Sequence, residues 1–268
     1  MDAQEILKAL EARLARLAQD GAGFLNVPPD PAAAALVESA RRAAAPTAPA
    51  AGQPRPYRSA PAAEAGFSLL GPEEHGAQGH PSQCDSLEAL HRAFAGCTRC
   101  GLAGSRTNFV FGVGRARPKL LFVGEGPGHD EDLQGLPFVG RAGQLLTLGI
   151  QALGLAREDV YIGNVVKCRP PNNRNPEPAE VAACLPILNR QMELLDPALI
   201  VVLGNVPLKA LKPTARGITS ERGRVFEFLR WRALPTYHPA YLLRNPNALD
   251  EWWADMRQAF RMAYGADP

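Results

Sequence analysis

Four cysteines are spaced along the chain in a way that suits a metal centre. Cys97 and Cys100 form a Cys-x-x-Cys pair after a predicted helix, Cys168 follows a predicted strand, and Cys184 lies 16 residues later in the next predicted helix. A close pair and two distant cysteines together offer four soft ligands, which suit either zinc or a [4Fe–4S] cluster. The alternative is that Cys184 is ordinary helix core and that the pair forms a loop without metal.

A second group of candidate residues lies in a loop at 124–146, whose sequence is GEGPGHDEDLQGLPFVGRAGQLL. Its glycines allow the backbone to approach a ligand closely. The loop lacks the Gly-Lys-Ser/Thr of a phosphate-binding loop, and its carboxylates would repel phosphate. We expect Asp130 and Asp132 to form a solvated acidic turn, whereas Glu125, between two glycines, suits activation of water or stabilisation of a cation. Phe138 is either core or an aromatic that stacks on a planar base.

Two further candidates follow predicted strands. Asn164 ends an apolar run, and a buried amide there is satisfied either by a ligand with paired donor and acceptor groups or by capping a turn. His238 lies beside a strand end and a proline, in a structural or a catalytic role. The segment RPPNNRNP at 169–176 is polar, basic and rich in turn residues, as is typical of a loop that contacts a phosphate backbone.

The elements that position these residues alternate between strands and helices. Apolar runs predict strands at 119–128, 159–166 and 198–204 and in RVFEFL and RALPTYH, and helical patterns occupy 88–96, 142–155, 176–195, a stretch from about residue 207, and 250–264. This alternation predicts a parallel α/β sandwich. Ligands bind such sheets beyond the carboxyl ends of the strands, so GEGPG, Asn164 and TYHPAY should converge on one crevice.

The first third of the chain differs in composition. Residues 3–19 predict a short amphipathic helix that packs on its own domain or on a partner. Between Val27 and Pro81, 26 of 55 residues are Ala or Pro, which predicts a flexible tether. We therefore expect a helix in 1–26, a linker in 27–85 that includes Cys84 without a specific role, and a folded domain in 86–268.

Charge and composition narrow the class of protein. Residues 1–85 carry 7 basic and 10 acidic side chains, and residues 86–268 carry 22 and 17, so the predicted domain is net +5, as expected for one that meets an anionic partner. No apolar run reaches the roughly 18–20 residues needed to span a bilayer. The N-terminus is charged throughout, unlike a signal peptide. Five cysteines do not suit a disulfide framework. We expect a soluble, cytoplasmic monomer.

Three motifs and the cysteines together resemble the family 4 uracil-DNA glycosylases, the iron–sulfur branch of that superfamily. The motifs are GEGPGxxEDxxGxPFVGxAGxLL at 124–146, NVVKCRPPNNRNP at 164–176 and HPAYLLR at 238–244, and the likeness spans about 86–265. The resemblance implies a three-layer α/β/α sandwich around a short, mainly parallel four-stranded sheet. It also implies an enzyme of base-excision repair that flips uracil out of single- or double-stranded DNA and hydrolyses its N-glycosidic bond, leaving an abasic site.

The resemblance assigns a ligand contact to each candidate. Phe138 matches the aromatic that stacks on the extruded uracil, Asn164 the amide that reads its O4 and N3 edge, and His238 the imidazole that hydrogen-bonds O2. The four cysteines, Cys97, Cys100, Cys168 and Cys184, match the ligands of a structural [4Fe–4S] cluster. The resemblance therefore favours iron–sulfur over zinc.

The first motif also implies the residues that line the pocket, Glu125, Gly126 and Glu131. Other branches of the superfamily carry Asp or Asn where Gly126 stands, so the carboxylate that handles water has to come from elsewhere. Glu125 and Glu131 are the two candidates, and hydrolysis needs such a group because the sugar becomes positive as uracil departs with negative charge.

DNA contacts are expected in two loops. Leu242, with Tyr241, would insert into the gap left by the flipped base, and Arg244 would contact a phosphate. Arg169 and Arg174 of the basic loop would contact the phosphate backbone. The alternative for Leu242 is simple core packing.

Two other functions stay open at this level. A related branch traps uracil-DNA covalently through a histidine in a basic insertion, but KCRPPNNRNPEP has neither the histidine nor the insertion. The other alternative is an iron–sulfur DNA-binding protein without catalytic activity. The presence of Glu125, Phe138, Asn164 and His238 favours an enzyme with multiple turnover.

Overall fold

The computed structural model describes residues 9–16 and 79–265, which contain a six-stranded sheet with helices on both faces. The strands are β1 (Val113–Gly114), β2 (Leu120–Gly124), β3 (Tyr161–Asn164), β4 (Leu199–Leu203), β5 (Phe226–Phe228) and β6 (Trp231–Thr236). Their order is β1-β3-β2-β4-β6-β5. The four inner strands are parallel, and β1 and β5 pair antiparallel at the two edges.

The predicted α/β sandwich is therefore confirmed, with six strands where four were expected. The four predicted parallel strands are present, and β5, with three residues, corresponds to the further strand predicted in RVFEFL. β1 was not predicted, because its two residues are too few for any periodic signal. Both extend the sheet without changing which strands end at the functional edge.

Eight helices within residues 79–265 pack around the sheet. They are α1 (Leu87–Phe94), α2 (His129–Gln134), α3 (Arg141–Ala152), α4 (Pro178–Leu195), α5 (Asn205–Leu211), α6 (Ile218–Glu221), α7 (Pro239–Leu242) and α8 (Leu249–Tyr264). Short 3-10 turns occupy Pro81–Gln83, Gly101–Gly104, Arg157–Asp159, Pro171–Asn173 and Pro246–Ala248. None of these helices combines the length and apolar character that crossing a membrane requires.

Two hydrophobic cores lie on opposite faces of the sheet. Alternate residues of β2 enter different cores: Leu120 and Phe122 enter the first, and Leu121 and Val123 enter the second. The first core includes α3 and α8, and the second includes α1, α4 and α5. Strands buried on both faces read as continuous apolar runs, which is why sequence alone located β2 and β4.

The N-terminal residues that the structure describes, 9–16, are helical and belong to the same compact unit as 79–265. The remainder of the helix predicted at 3–19, and most of the predicted linker, lie outside the described residues. At the other end of the linker, the carbonyl oxygen of Cys84 accepts a hydrogen bond from Arg190 Nε at 2.8 Å. The division into 1–26, 27–85 and 86–268 stays a prediction.

Candidate active site

The carboxyl ends of three parallel strands meet at one edge of the sheet. Gly124, the last residue of β2, pairs with Asn164, the last residue of β3. β6 ends at Thr236, two residues before His238. Because the strands are parallel, the loops that follow them open on the same side, and this brings two sequence-predicted residues, Asn164 and His238, to one edge.

Gly124 makes room for the side chains that line this crevice. A Cβ atom at Gly124 would lie 2.5 Å from Asn164 Oδ1 and 2.5 Å from Phe138 Cζ, so both side chains lie against the bare backbone. The rings of Phe138 and His238 have centroids 5.4 Å apart and an interplanar angle of 31°. Phe138 thus lies against His238 and beside the same bare backbone as Asn164, and an aromatic face, an amide and an imidazole share one crevice.

Asn164 has an unsatisfied amide oxygen. Its side chain is 1% exposed, and Oδ1 has no hydrogen-bond partner among the described residues. A buried polar atom without a partner costs about 1–3 kcal/mol, so such an atom in a native protein indicates a ligand or a water. The backbone oxygen of Asn164 is held separately by the fully buried Lys167, whose Nζ donates at 2.8 Å.

His238 is fixed in one tautomer by the helix that it caps. Its Nδ1 accepts a hydrogen bond from the backbone N–H of Ala240 at 3.1 Å, at the start of α7. A neutral imidazole that accepts at Nδ1 carries its proton on Nε2, which is then a donor. Burial, reinforced by the positive charge of Arg244, lowers the pKa of His238 to about 4. The ring is therefore neutral at pH 7 and offers one N–H.

Phe138 has a backbone conformation that is rare for an aromatic residue. Its φ of +53° lies in the left-handed region. Strain of this kind persists only where neighbouring groups hold the chain in place. One such group is Glu131, whose Oε1 accepts the backbone N–H groups of Val139 and Gly140, both at 2.9 Å. Glu131 therefore holds the turn that presents the Phe138 ring.

Arg157 holds the other side of the same turn. Its guanidinium donates to the carbonyl oxygen of Pro137 at 2.6 Å and to Thr147 Oγ1 at 3.0 Å. These bonds tie the residue before Phe138 to α3. Sequence reasoning did not single out Arg157, because no spacing rule links it to a turn 20 residues earlier.

The carboxylates of the first motif have different environments. Glu125 follows directly on β2 and is half-buried, and burial raises its pKa. Asp130 is exposed, as expected of a solvated turn, but Asp132 is buried and its Oδ1 accepts the backbone N–H groups of Thr107 and Asn108. The expectation of a solvated turn was therefore wrong for Asp132, which anchors the loop between the cysteine pair and β1.

Gly126 has no room for a side chain without movement of its neighbour. A Cβ at this position would lie 2.6 Å from Cγ2 of Val166. The backbone on either side is held because Val166 N donates to the carbonyl oxygen of Glu125 at 3.0 Å. The close approach of the two loops accounts for glycine here and leaves Glu125 as the adjacent carboxylate.

The HPAYLLR segment presents some of its predicted DNA contacts and buries another. Tyr241 is exposed and stacks on Tyr237 with centroids 4.8 Å apart, and Arg244 is exposed. Leu242 is fully buried in the first core. The insertion role expected for Leu242 does not agree with this position, because the one-turn helix α7 directs the side chain inward. Core packing, the alternative, is what the structure shows.

The arginines of the basic loop have partners within the protein. Arg174 makes a two-pronged ion pair with Glu180, at 2.9 and 2.7 Å, which holds the loop to the start of α4. This pairing lowers the pKa of Glu180. Arg169 donates from Nε to Asn173 Oδ1 at 2.7 Å. The charge of Arg174 is thus balanced within the protein.

All four predicted cysteine ligands line one small cavity beside the second core. Arg106 joins two of the chain segments around it, since its guanidinium donates to the carbonyl oxygen of Cys97 at 2.6 Å and lies 3.3 Å from Cys168 Sγ. Within the described residues, no group of three or more His, Cys, Asp or Glu side chains is arranged to hold a single metal ion. Four thiols around a shared space are a soft donor set of the kind that holds zinc or an iron–sulfur cluster.

Lys167 lies between the cysteine cavity and the crevice. It precedes Cys168 in the chain, its side chain is fully buried, and its Nζ reaches the backbone oxygen of Asn164. Burial lowers the pKa of its ammonium group to about 8. The signal for this residue in the sequence is a lysine within an apolar run, directly before a cysteine.

Comparison with known proteins agrees with this geometry. The model of the uracil DNA glycosylase superfamily matches residues 111–257, more than half of the chain. The type-4 uracil-DNA glycosylase of Archaeoglobus fulgidus is 44% identical over 184 residues, which cover 65% of this chain and 92% of that protein. The type-4 enzyme of Thermotoga maritima is 48% identical over 161 residues, covering 59% and 84%. A type-5 enzyme of Pyrobaculum aerophilum is 29% identical over 153 residues, covering 51% and 67%. The chain belongs to the type-4 family of the uracil-DNA glycosylase superfamily.

Proposed function

We propose that this protein removes uracil from DNA by hydrolysing the N-glycosidic bond, leaving an abasic site for base-excision repair. The observation that carries the proposal is the crevice in which an aromatic ring, an unsatisfied amide and a neutral imidazole face one space. These three groups match the flat face, the N3–O4 edge and the O2 atom of uracil. The names of the type-4 relatives support the same activity.

Recognition of the base rests on Asn164. Its Oδ1, which has no partner among the described residues, would accept the N3–H of uracil, and its Nδ2 would donate to O4. Cytosine reverses both groups, with an acceptor at N3 and a donor at C4, so it would meet like groups. A site built to hydrogen-bond a ligand rejects an analogue that leaves its buried groups unpaired.

His238 supplies the donor for the leaving group. As the glycosidic bond breaks, negative charge develops on O2 of uracil, and an N–H placed there stabilises it without reorganisation. The bond from Ala240 N–H keeps the proton on Nε2, and the low pKa keeps the ring neutral. A single fixed donor of this kind is worth about 10²–10³ in rate.

We assign the handling of water, and stabilisation of the cationic sugar, to Glu125. Glu131, the other candidate, already accepts two backbone N–H groups and holds the Phe138 turn, so its role is to position the stacking ring. Glu125 lies at the end of β2 next to Gly124 and is half-buried. A carboxylate there can orient a water toward the sugar or offset its positive charge.

The surface around the crevice suits DNA. The enzyme has to flip the nucleotide out of the stack, because the glycosidic bond cannot be reached within a duplex. Tyr241 is the exposed side chain of HPAYLLR that could fill the vacated space, and Arg244 is exposed beside it. Arg169 and the net positive charge of 86–268 add attraction for the phosphate backbone.

The residues present fit a [4Fe–4S] cluster, with Cys97, Cys100, Cys168 and Cys184 as its ligands. When bound, the cluster supplies a cross-link between distant segments of the chain and takes no part in the hydrolysis. Those segments include the loop after β3 and the helix α4, so its ligands stabilise the same loop that begins with Asn164. The donor set is soft, as iron–sulfur chemistry requires.

Three expectations about the setting of the reaction stay predictions. They are a cytoplasmic location, a monomeric state, and a protein partner for the N-terminal helix. Size-exclusion chromatography with light scattering of the purified protein, alone and with a uracil-containing oligonucleotide, checks the second directly.

Treatment of a uracil-containing oligonucleotide with the purified protein, followed by alkali, tests the proposal. We expect strand scission at the uracil, with many cleavages per protein molecule, and no scission of the cytosine or thymine control. Glu125→Gln should slow the reaction, whereas Glu227→Gln, the same change at an exposed position of β5, should leave the rate unchanged. A stable shifted band would instead indicate covalent trapping, and the absence of both scission and a shifted band would contradict the proposal.

A further inference from the structure

The N-terminal helical segment, residues 9–16, packs on the first core and lies outside the stretch that matches the superfamily. Leu10 and Leu14 are 2% and 1% exposed and belong to the same packed cluster as Phe138. Burial of these two leucine side chains removes apolar surface from water and so stabilises the packed position of the segment. The described part of the apolar face, Leu10 and Leu14, is therefore already occupied by this chain's own domain.

The segment is tied to the chain that follows His238. Arg13 makes an ion pair with Asp250 at 2.6 Å, in the first turn of α8, and its guanidinium lies 3.5 Å from the carbonyl oxygen of Pro246. Pro246 begins the turn directly after the HPAYLLR segment. Through Arg13, the segment thus contacts the backbone that follows His238, the residue that supplies the imidazole of the crevice.

The same segment also borders the turn that presents the stacking ring. Glu11 lines an open cleft of about 440 Å³. The other walls of the cleft come from the Phe138 turn, from α3 and from Arg157. The lining residues are Glu11, Phe138, Val139, Gln144, Thr147, Leu148 and Arg157. One short helix therefore reaches both chain regions that carry the two rings of the crevice.

We propose that residues 9–16 form a brace that sets the spacing of Phe138 and His238, and so act as a positioning element for uracil excision. This inference rests on the proposed function. The two rings come from separate parts of the chain, one in a strained turn before α3 and the other at the start of α7, and their centroids are 5.4 Å apart. Small displacements between groups that grip a reacting base cost rate far more than they cost affinity for DNA.

The test uses the full chain with Leu10→Ala and Leu14→Ala combined, and separately Arg13→Ala. The matched controls are Leu229→Ala, at an exposed turn, and Arg16→Ala, at an exposed position of the same helix. We expect the double variant to lower kcat about tenfold, and to weaken inhibition by free uracil to a similar degree, with unchanged affinity for undamaged DNA. Arg13→Ala should lower kcat about twofold, because an exposed ion pair contributes little, and Arg13→Lys should restore it.

All rates are compared at a temperature where circular dichroism shows each variant fully folded. The inference is overturned if the double variant melts at a lower temperature but keeps the wild-type kcat and the wild-type inhibition by uracil. It is also overturned if the kcat of the double variant returns to the wild-type value only when a protein partner is added. Absence of excision by the wild-type protein would refute the proposed function instead. Hydrogen exchange then tests the brace itself: the double variant should exchange faster at 137–152 and 238–248, and unchanged exchange there would reject it.

Discussion

The crevice at the carboxyl edge of the sheet and the cavity between the cysteines are built in opposite ways. The crevice holds a buried amide oxygen without a partner among the described residues, a backbone in the left-handed region at Phe138, and a histidine whose Nδ1 accepts a backbone N–H. The cysteine cavity lies beside an apolar core, with Arg106 joining the segments around it. The first is arranged for a ligand that arrives and leaves, and the second for a group that stays.

This difference predicts that substitutions in the two regions change different measured properties. Substitutions in the crevice should change rate and base selection with little change in stability or absorbance. Substitutions at the cysteines should change absorbance and stability first, and activity as a consequence. Lys167 links the two regions, because it directly precedes Cys168 and its Nζ donates to the backbone oxygen of Asn164.

The largest expected effect is at the cysteines. Cys97→Ala should abolish the visible absorbance of the proposed iron–sulfur cluster and leave little folded protein, because the cross-link that we propose between distant segments is lost. Spectra and circular dichroism of the purified variant measure both. Cys84→Ala is the matched control and should behave as wild type. Retention of wild-type absorbance by Cys97→Ala would remove that residue from the ligand set.

Gly124→Ala should close the crevice and leave the sheet intact. The added Cβ would meet Asn164 Oδ1 and the Phe138 ring, both at 2.5 Å, so we expect excision to fall about a thousandfold. Gly104→Ala, where a Cβ meets nothing within 4 Å, serves as the control. Single-turnover rates of excision from a uracil oligonucleotide measure the expected fall. Wild-type activity in Gly124→Ala would place the base elsewhere.

Asn164→Ala should slow uracil excision about a hundredfold and reduce the preference for uracil over cytosine, because the groups that distinguish their edges are gone. Absorbance and melting temperature should stay near wild type, since the amide oxygen has no partner among the described residues to lose. Parallel assays on uracil and cytosine oligonucleotides measure the ratio. An unchanged ratio would refute the assignment.

The pH dependence of stability should carry the signature of His238. Its pKa is about 4 in the folded protein and about 6.5 when unfolded. The unfolded chain therefore binds more protons between these values, and stability contributed by the neutral ring is present above pH 6.5 and lost as pH falls toward 4. Denaturant melts at a series of pH values should show this slope, and His238→Asn should remove it. An equal slope in both proteins would show that the ring is not buried neutral.

Arg174→Ala should have the smallest effect. Because its charge is already paired with Glu180, we expect uracil excision to fall no more than about twofold and the salt dependence of DNA binding to stay nearly unchanged. Arg244→Ala, at an exposed position without such a partner among the described residues, should reduce the salt slope more. Equal slopes for the two variants would show that Arg174 also reaches DNA.

Sequence alone located most of the sheet because buried parallel strands are continuous apolar runs. It placed the crevice residues at strand ends for the same reason, and parallel order then brings Asn164 and His238 together. The orientation of Leu242 was not accessible in this way. In a helix of one turn, a shift of one position separates a surface side chain from a core one, and the exposed Tyr241 directly precedes the buried Leu242.

The partners of charged residues were also beyond the reach of spacing rules. Glu131 was one of two candidates for handling water, and only the left-handed turn at Phe138 shows why its carboxylate meets two backbone N–H groups. Asp132 is held by a loop, and Arg174 lies in a loop held by the helix α4, and no periodicity describes either loop. Polar residues in irregular segments find partners through tertiary structure, so their roles could be narrowed by sequence but not settled by it.

The most direct test of the account is the identity and amount of the base released. The purified protein, with its iron content measured, is incubated with an excess of oligonucleotide that contains one deoxyuridine, and free bases are quantified by mass spectrometry. We predict free uracil in molar excess over protein, no free cytosine, and a rate at least a hundredfold lower for His238→Ala. Intact deoxyuridine after incubation with iron-loaded protein, or equal release by the variant, would contradict the account.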